Sequence, residues 1–492
     1  MPRKRNKFCL MAAMLSCSAL SAAAQTRDAG PPPAEERLGL DSLFGSDMVL
    51  QRDRPIRLWG RAKPGERVTV SLHRSNVTVV ANKSGRWRAT LAAQPAGGPY
   101  ALTASAASFR DRYADVMVGD VWLCAGQSNM EFRRSKAIDL AGGFAPDPGL
   151  RMLDVARRQD VMPSPHLVTL GGWKRSSPQS AADFSAVCHH FGESLRAKLG
   201  VPVGLIAASW GGTLISAFVD TQTYADRHLA NPQTDPASRQ NPGRVFNAMI
   251  APIAPFALRG VLWYQGESDT HHPARYDEKL RALAASWRKA FSQPLPFIVI
   301  QLPAFDPTPA DPAGNWVRVR EEQRRFVAGD HGSGLVVQSD QGVADELHPP
   351  EKAVVAERAA GTAMAVAGLA KYPDAGRLRP LVSRSGPTLS ITYAFGTALT
   401  SRGHGMARGF ELCGEACVSV PATIGAPNRI DLAIPHGLDP RCVRYDWQDV
   451  PHAELLTSNG WPLGPFAFAV PRNERAGAMT WLSDCAGLPD TE

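Results

Sequence analysis

Four short polar segments contain the residue types that acyl transfer by a serine nucleophile requires. They are 126–130 (Gly-Gln-Ser-Asn-Met), 209–213 (Ser-Trp-Gly-Gly-Thr), 265–269 (Gln-Gly-Glu-Ser-Asp) and 345–349 (Asp-Glu-Leu-His-Pro). A serine hydroxyl can attack a carbonyl when a histidine takes its proton, and amide groups can stabilise the resulting oxyanion. An Asp three residues before a His can orient the imidazole and stabilise its charged form. Each segment alone is typical of an ordinary turn, whereas the set favours a serine hydrolase.

The elements that must position these segments follow from the hydrophobic pattern. Apolar strand-like runs at 116–124, 203–208, 261–264, 297–301 and 335–338 alternate with helical segments, which predicts βαβ units and a largely parallel sheet. One helix is indicated over 184–199, and a second should begin after Pro349-Pro350 and run to about Leu369. In such a sheet reactive groups gather at the carboxyl ends of the strands, where we expect the four segments to meet.

Flanking regions show a different pattern. Between 47 and 115, and again after Pro373, short alternating stretches are separated by turn signals, which indicates antiparallel β-structure. The sequence therefore predicts a signal peptide at 1–24, an N-terminal β-sandwich-like domain at 25–115, a catalytic domain at 116–372 and a C-terminal β-rich domain at 373–492.

The N-terminus predicts export. Four cations precede an apolar run at 8–20 and small residues at 21–24, a pattern typical of a cleavable secretory signal. We expect a secreted or periplasmic protein. The residues before Cys17 match a lipoprotein signal only poorly, so we do not expect lipid anchoring there. No later stretch is long and apolar enough to span a membrane. The net charge of +8 falls to +4 after cleavage. The remaining Lys and Arg residues form no basic stripe, which disfavours a nucleic-acid partner.

Six cysteines remain beyond the predicted signal peptide. Cys124 and Cys188 lie in apolar contexts that favour free buried thiols. The C-terminal four could form two disulfides in any of three connectivities, or a zinc site, and disulfides are favoured. These four are Cys413, Cys417, Cys442 and Cys485.

Longer motifs identify a family. The segments 121–130, 209–213, 247–252 (Asn-Ala-Met-Ile-Ala-Pro) and 263–269 resemble those of the sialate O-acetylesterases and related carbohydrate acetylesterases, within the SGNH or GDSL group of serine hydrolases. The resemblance runs from about residue 44 to about residue 466. It implies an α/β fold, with an SGNH-hydrolase-like three-layer domain, a mostly parallel sheet and β-rich domains on both sides. It also implies hydrolysis of O-acetyl esters on sugars through an acetyl-enzyme, with no metal and no organic cofactor.

The resemblance also implies residue roles. Ser128 would be the nucleophile, His348 the general base and Asp345 its orienter, although Glu346 competes for that role and relatives often work as a Ser-His dyad. The oxyanion would be held by the Ser128 N–H, the Gly211 N–H in preference to Gly212, and the Gln265 side chain. Further residues expected to contact the substrate are Asn129, Trp210, Glu267 and Arg133.

The sugar itself stays open at this stage. A carboxylated sugar such as sialic acid needs a nearby cation, for which Arg133 and Arg134 are candidates. Acetylated xylan or xyloglucan would instead need aromatic platforms such as Trp210 or Trp263. A non-catalytic carbohydrate-binding protein is an alternative from another class, but it predicts loss of Ser128, Gln265 or His348, and all are present. A serine peptidase is disfavoured because Met130 replaces the final glycine of a Gly-x-Ser-x-Gly elbow.

Overall fold

The structure is a computed structural model that describes residues 37–138, 145–231, 233–307, 315–369, 380–393, 398–402, 405–426 and 428–470. The predicted signal peptide, Cys17 and Cys485 lie outside these ranges. Within them, none of the helices has both the length and the apolar character needed to cross a lipid bilayer. All elements described below belong to the unit Leu38–Glu492.

The N-terminal region is built from short strands. They are β1 (Gly39–Leu40), β2 (Val49–Gln51), β3 (Ile56–Arg61), β4 (Arg67–Leu72), β5 (Ser75–Val80), β6 (Arg86–Leu91) and β7 (Gly97–Ser105). β1, β3 and β6 form one antiparallel sheet, while β4 pairs with β5 and β7. Residues along β3 alternate between buried and half-buried, as expected for strands with one covered face. The antiparallel β-structure predicted for this region is therefore observed.

Strand β8 (Arg110–Gly126) belongs to both the N-terminal and the central region. Its first half pairs antiparallel with β7, and its second half is the middle strand of the central sheet. From Val116 onward almost every residue is fully buried, which is typical of a parallel strand covered on both faces. One continuous strand thus passes through the predicted boundary at 115/116 and ends at the serine segment.

The central sheet is largely parallel. Its other strands are β9 (Asp147–Val155), β10 (Thr169–Ser176), β11 (Val203–Ser209), β12 (Gly260–Tyr264), β13 (Phe297–Ile300) and β14 (Ser333–Val336), in the order β10-β9-β11-β8-β12-β13-β14. All neighbours are parallel except β10, which pairs antiparallel with β9. The predicted α/β class is confirmed as a mixed α/β domain with a partly parallel sheet.

Helices cover both faces of this sheet. They are α1 (Ser128–Glu131), α2 (Pro178–Ala181), α3 (Ala186–Leu199), α4 (Thr221–Asp226), α5 (Tyr276–Phe291), α6 (Asn315–Gly329) and α7 (Ala353–Val366). α3 and α7 share one hydrophobic core with alternate strand residues, and α5 and α6 share the core on the opposite face. The helix predicted at 184–199 begins at Ala186, because the Ser185 side chain caps it, and ends before Gly200, whose φ is +67°. The second predicted helix begins at Ala353.

The C-terminal region is rich in β-structure, as predicted. Its strands are β15 (Leu381–Ser385), β16 (Thr388–Thr392), β17 (Leu399–Ser401), β18 (Met406–Cys413), β19 (Cys417–Ala426), β20 (Arg429–Ala433), β21 (Cys442–Tyr445), β22 (Leu455–Thr457) and β23 (Phe466–Ala469). Seven of them form an antiparallel sheet in the order β15-β16-β20-β19-β18-β21-β23. Arg320 of α6 is fully buried and donates to the carbonyls of Gln448 and Asp449, which attaches this region to the α/β domain.

Two disulfides are present among the described residues. Cys124 and Cys188 are bonded, so the prediction of free thiols is wrong. The apolar contexts fit both states, but Cys124 on β8 and Cys188 on α3 face each other with Cα atoms 6.0 Å apart, within the range a disulfide spans. Cys413 and Cys417 are opposite each other on β18 and β19 and are also bonded. For this pair, the disulfide predicted in preference to zinc is observed.

Candidate active site

The first three polar segments meet where β11, β8 and β12 end. These strands are neighbours, and Gly126 at the end of β8 pairs with Ser209 on one side and Tyr264 on the other. Gly126 has a φ of +143°, and a Cβ atom there would lie 2.0 Å from the Tyr264 carbonyl oxygen. Only glycine can therefore hold the chain in the turn that leads to Ser128.

Ser128 is the first residue of α1 and is half-buried. Gly211 lies beside it, since a Cβ built on Gly211 would be 3.4 Å from the Ser128 Cβ. Across the described part of the chain, the Ser128 backbone N–H has no acceptor, and its hydroxyl forms no hydrogen bond with His348. The serine is thus placed beside the glycine loop with its amide available.

Asn129 connects the serine segment to two others. Its side-chain amide donates to the Glu267 Oε1 at 2.7 Å and to the Leu347 carbonyl at 3.1 Å, and its oxygen accepts from the Lys352 Nζ at 2.8 Å. Leu347 directly precedes His348, so these bonds bring the histidine segment to the serine segment. Asn129 and Glu267 form these internal bonds with exposed fractions of only 0% and 7%, and their predicted contact with substrate stays a prediction.

Burial shifts the pKa values of two ionisable groups of this site, Glu267 and His348. Burial raises the pKa of the Glu267 carboxyl, although the hydrogen bond from Asn129 and the Lys352 charge oppose that shift. Burial also lowers the pKa of His348, and the Lys352 ammonium lowers it further. The neutral imidazole is therefore favoured near neutral pH, which is the form that a general base needs.

Neither candidate carboxylate holds the imidazole of His348. The Glu346 Oε1 accepts a hydrogen bond from the His348 backbone N–H at 2.7 Å, not from the ring. A turn closed by the Glu346 N–H and the Val343 carbonyl leaves Asp345 exposed at its tip. The His348 Nε2 is buried without a partner in the part of the chain that the structure describes. In this structure the His348 ring is therefore bonded to neither carboxylate, and the choice between Asp345, Glu346 and a Ser-His dyad stays a prediction.

Gln265 does not have a free amide to offer an oxyanion. Its Nε2 lies 2.8 Å from the Asp269 Oδ2, 3.0 Å from the Gln127 Oε1 and 3.2 Å from the Thr213 carbonyl. Its Oε1 accepts from the Tyr276 hydroxyl at 2.6 Å. Both amide hydrogens thus face protein acceptors and the residue is fully buried in this structure, while its oxyanion role stays a prediction.

Gly211, the preferred oxyanion glycine, is likewise engaged. Its N–H donates to the Glu131 Oε2 at 2.6 Å. The Gly212 N–H, by contrast, has no acceptor among the described residues. Sequence reasoning missed Glu131, although its position three residues after Ser128 placed it on the same face of a helix.

The candidate sugar-binding residues separate into exposed and buried groups. Arg133 pairs with Asp183 at 2.9 Å, and both side chains are mostly exposed. Arg134 is buried against Glu193 and His189 and cannot reach a substrate. Trp263 is fully buried in the core, which excludes it as a sugar platform.

Trp210 is the remaining aromatic candidate. It is half-buried, with the guanidinium of Arg239 5.0 Å from its ring centre. Arg239 comes from the segment between α4 and β12.

Metal-ligating groups cluster away from this site. Among the described residues, Glu411, Cys413 and Cys417 form the one group close enough to share an ion. Both sulfur atoms are already joined in the disulfide.

Comparison with known protein families assigns this chain to one of them. Residues 118–365, about half of the chain, match the family described as "Carbohydrate esterase, sialic acid-specific acetylesterase". The chain belongs to this family. The match begins within β8 and ends near the end of α7, so it contains all four polar segments and the Asn129 contacts.

Relatives of this carbohydrate esterase family agree with the assignment. The sialate O-acetylesterase of Homo sapiens is 32% identical over 278 residues, covering 51% of this chain and 53% of the relative. That of Mus musculus is 29% identical over 301 residues, covering 51% and 56%. The chain thus spans about half the length of the curated relatives it matches. The crystal structure of a carbohydrate acetylesterase from Xanthomonas citri is 32% identical with a TM-score of 0.79, covering 88% of this chain and 99% of that one.

Proposed function

We propose that this chain is a serine carbohydrate esterase that hydrolyses O-acetyl esters on sugars, as its resemblance to sialate O-acetylesterases implies. The observation that carries the proposal is the set of Asn129 contacts. They connect the Ser128 segment, at the carboxyl end of β8, to Glu267 after the adjacent strand β12 and to the His348 segment, which follows β14. All three segments lie within the region that matches the carbohydrate esterase family. Nucleophile and base thereby share one crevice.

The mechanism follows from the protonation states and the free amides. Neutral His348 takes the proton of the Ser128 hydroxyl as the oxygen attacks the acetyl carbonyl. The amides of Ser128 and Gly212 hold the oxyanion, His348 protonates the departing sugar oxygen, and water then releases acetate from the acetyl-enzyme. The first proton transfer requires a Ser128 to His348 hydrogen bond in the substrate complex, and such bonds are often open in unliganded hydrolases.

For the sugar, we propose an O-acetylated sialic acid as the first candidate, with Arg133 as the solvent-exposed cation for its carboxylate. Acetylated xylan or xyloglucan is the second candidate. It is supported by Trp210, whose half-buried ring lies next to the Gly211–Gly212 loop and could stack on an uncharged sugar.

The test is acetate release from 9-O-acetylated sialic acid, acetylated xylan and acetylated xyloglucan. Ser128→Ala should reduce kcat by more than roughly 1000-fold. Ser71→Ala, on β4 away from the site, is the matched control and should leave kcat unchanged. Equal release by wild type and Ser128→Ala would contradict the serine mechanism. No release by wild type from any substrate would favour the carbohydrate-binding alternative, to be checked by binding to the same acetylated glycans.

We also propose that the chain is exported, on the pattern of residues 1–24. The expected result is a secreted or periplasmic protein whose N-terminus is Gln25, checked by N-terminal sequencing of each cell fraction. Recovery of the uncleaved chain from the cytoplasm alone would contradict it.

A further inference from the structure

The carboxylate of Glu131 lies against the loop that carries the candidate oxyanion amides. Glu131 is the last residue of α1, and its Oε2 accepts from the Gly211 N–H at 2.6 Å. Its other oxygen pairs with the Arg157 Nη1 at 3.0 Å. Because residues three apart share one face of a helix, Glu131 and Ser128 face the same side. One side chain therefore ties the nucleophile helix to the glycine loop.

The opposite side of the loop is held through its carbonyl groups. The Gly212 oxygen accepts from the Gln240 Nε2 at 2.7 Å, and the Gly211 oxygen accepts from the Arg239 Nη2 at 3.3 Å. In a trans peptide the N–H points opposite to the carbonyl of the same unit. The Gly211 carbonyl faces Arg239, so the Gly212 N–H points away from Arg239, and it has no acceptor in the described part of the chain.

Space around Gly211 is limited by the same contacts. A Cβ atom there would lie 3.2 Å from the Glu131 Oε2 and 3.4 Å from the Ser128 Cβ. The loop therefore packs directly against both side chains. Any shift in the Glu131 contact would move the loop relative to the serine.

We propose that Glu131 is a positioning residue, which fixes the Trp210–Gly212 loop through the Gly211 N–H so that the Gly212 N–H receives the oxyanion. This rests on the proposed esterase function. A negative charge near a developing oxyanion would oppose the reaction, and the Arg157 guanidinium offsets it. The opposite role, a carboxylate that blocks the Gly211 amide and leaves when substrate binds, predicts that removing Glu131 accelerates the reaction.

The experiment compares Glu131→Ala, Glu131→Gln and Glu131→Asp with wild type, by acetate release and thermal unfolding. Glu131→Ala should lower kcat by roughly 10- to 100-fold with KM within about threefold, since a misplaced donor weakens transition-state binding more than substrate binding. Glu131→Gln keeps an acceptor oxygen and should recover kcat to within about fivefold of wild type. Glu131→Asp keeps the charge but is one methylene too short, and should be as slow as the alanine variant.

Glu66→Ala is the matched control. The Glu66 Oε1 also accepts from a backbone N–H at 2.6 Å, that of Ser108, but in the N-terminal β-region. The kcat of Glu66→Ala should equal that of wild type.

Several results separate this inference from the proposed function. If wild type releases no acetate, or Ser128→Ala is as fast as wild type, the esterase function itself fails. If wild type is active and Ser128→Ala is not, a Glu131→Ala kcat within twofold of wild type, or above it, overturns the positioning role. A Glu131→Gln variant as slow as Glu131→Ala also overturns it. If Glu131→Ala does not fold, Glu131→Asp takes its place, and a Glu131→Asp kcat within twofold of wild type overturns the positioning role.

Discussion

Removing the disulfide between Cys124 and Cys188 should destabilise this protein substantially. The two residues are 64 positions apart in the sequence. Closing a loop of that size lowers the entropy of the unfolded chain by an amount worth about 4 kcal/mol at 25 °C. Each kcal/mol lowers the Tm of a domain of 150 to 250 residues by roughly 2–4 °C, so the Cys124→Ala/Cys188→Ala variant should melt on the order of 10 °C below wild type.

A second double variant provides the control. Cys413 and Cys417 are only 4 positions apart, so the same relation gives about 2 kcal/mol for Cys413→Ala/Cys417→Ala. Calorimetry without reductant would compare the two variants with wild type. Equal Tm values for the two variants would refute the loop-entropy argument. Alkylation of Cys124 or Cys188 in denatured, unreduced protein would refute the bond itself.

Three further predictions concern the site and its surroundings. Gln265→Ala should lower both kcat and Tm, because it leaves the buried Tyr276 hydroxyl without its side-chain acceptor; a kcat loss at unchanged Tm would restore the oxyanion role. Lys352→Met should raise the pKa of His348, so the acid limb of kcat/KM should move to higher pH, and an unchanged pH profile would contradict this. Burial raises the pKa of Asp154 from 3.8 to about 6, so the folded state loses stability as the pH rises through that interval. Asp154→Asn should therefore raise the Tm at neutral pH but not near pH 4, and an equal effect at both pH values would contradict the shift.

The sequence predicted the α/β class and the convergence of the polar segments because both depend on local signals. Continuous apolar runs predict buried strands, and the alternation with helices requires parallel pairing. Once the strands are parallel, their carboxyl ends lie at one edge of the sheet, so Ser128 and the loops at 209–213 and 265–269 had to meet there. The short alternating strands of the terminal regions were predicted by the same kind of local pattern.

The order and pairing of the strands lay outside this reasoning. The sequence of residues 110–126 does not show that this strand pairs with β7 in its first half and with β11 and β12 in its second half. A hydrophobic pattern indicates which strand residues are buried, but not which strand pairs with which. The family resemblance supplied Ser128 and His348 as candidates. It did not predict their surroundings.

Tertiary structure alone decided which polar groups are free. Glu131 and Gly211 are 80 residues apart, Asn129 and Glu267 are 138 apart, and Cys124 and Cys188 are 64 apart, yet each pair is in contact. A glycine amide, a glutamine side chain or a cysteine has the same chemistry in the sequence whether it is engaged or available. Its state depends on which distant acceptor, donor or thiol the packing of β8 against β11, β12 and α3 places beside it. For that reason the segments of the site follow from the sequence, whereas the contacts of Gly211, Gln265 and Asp345 within it required the fold.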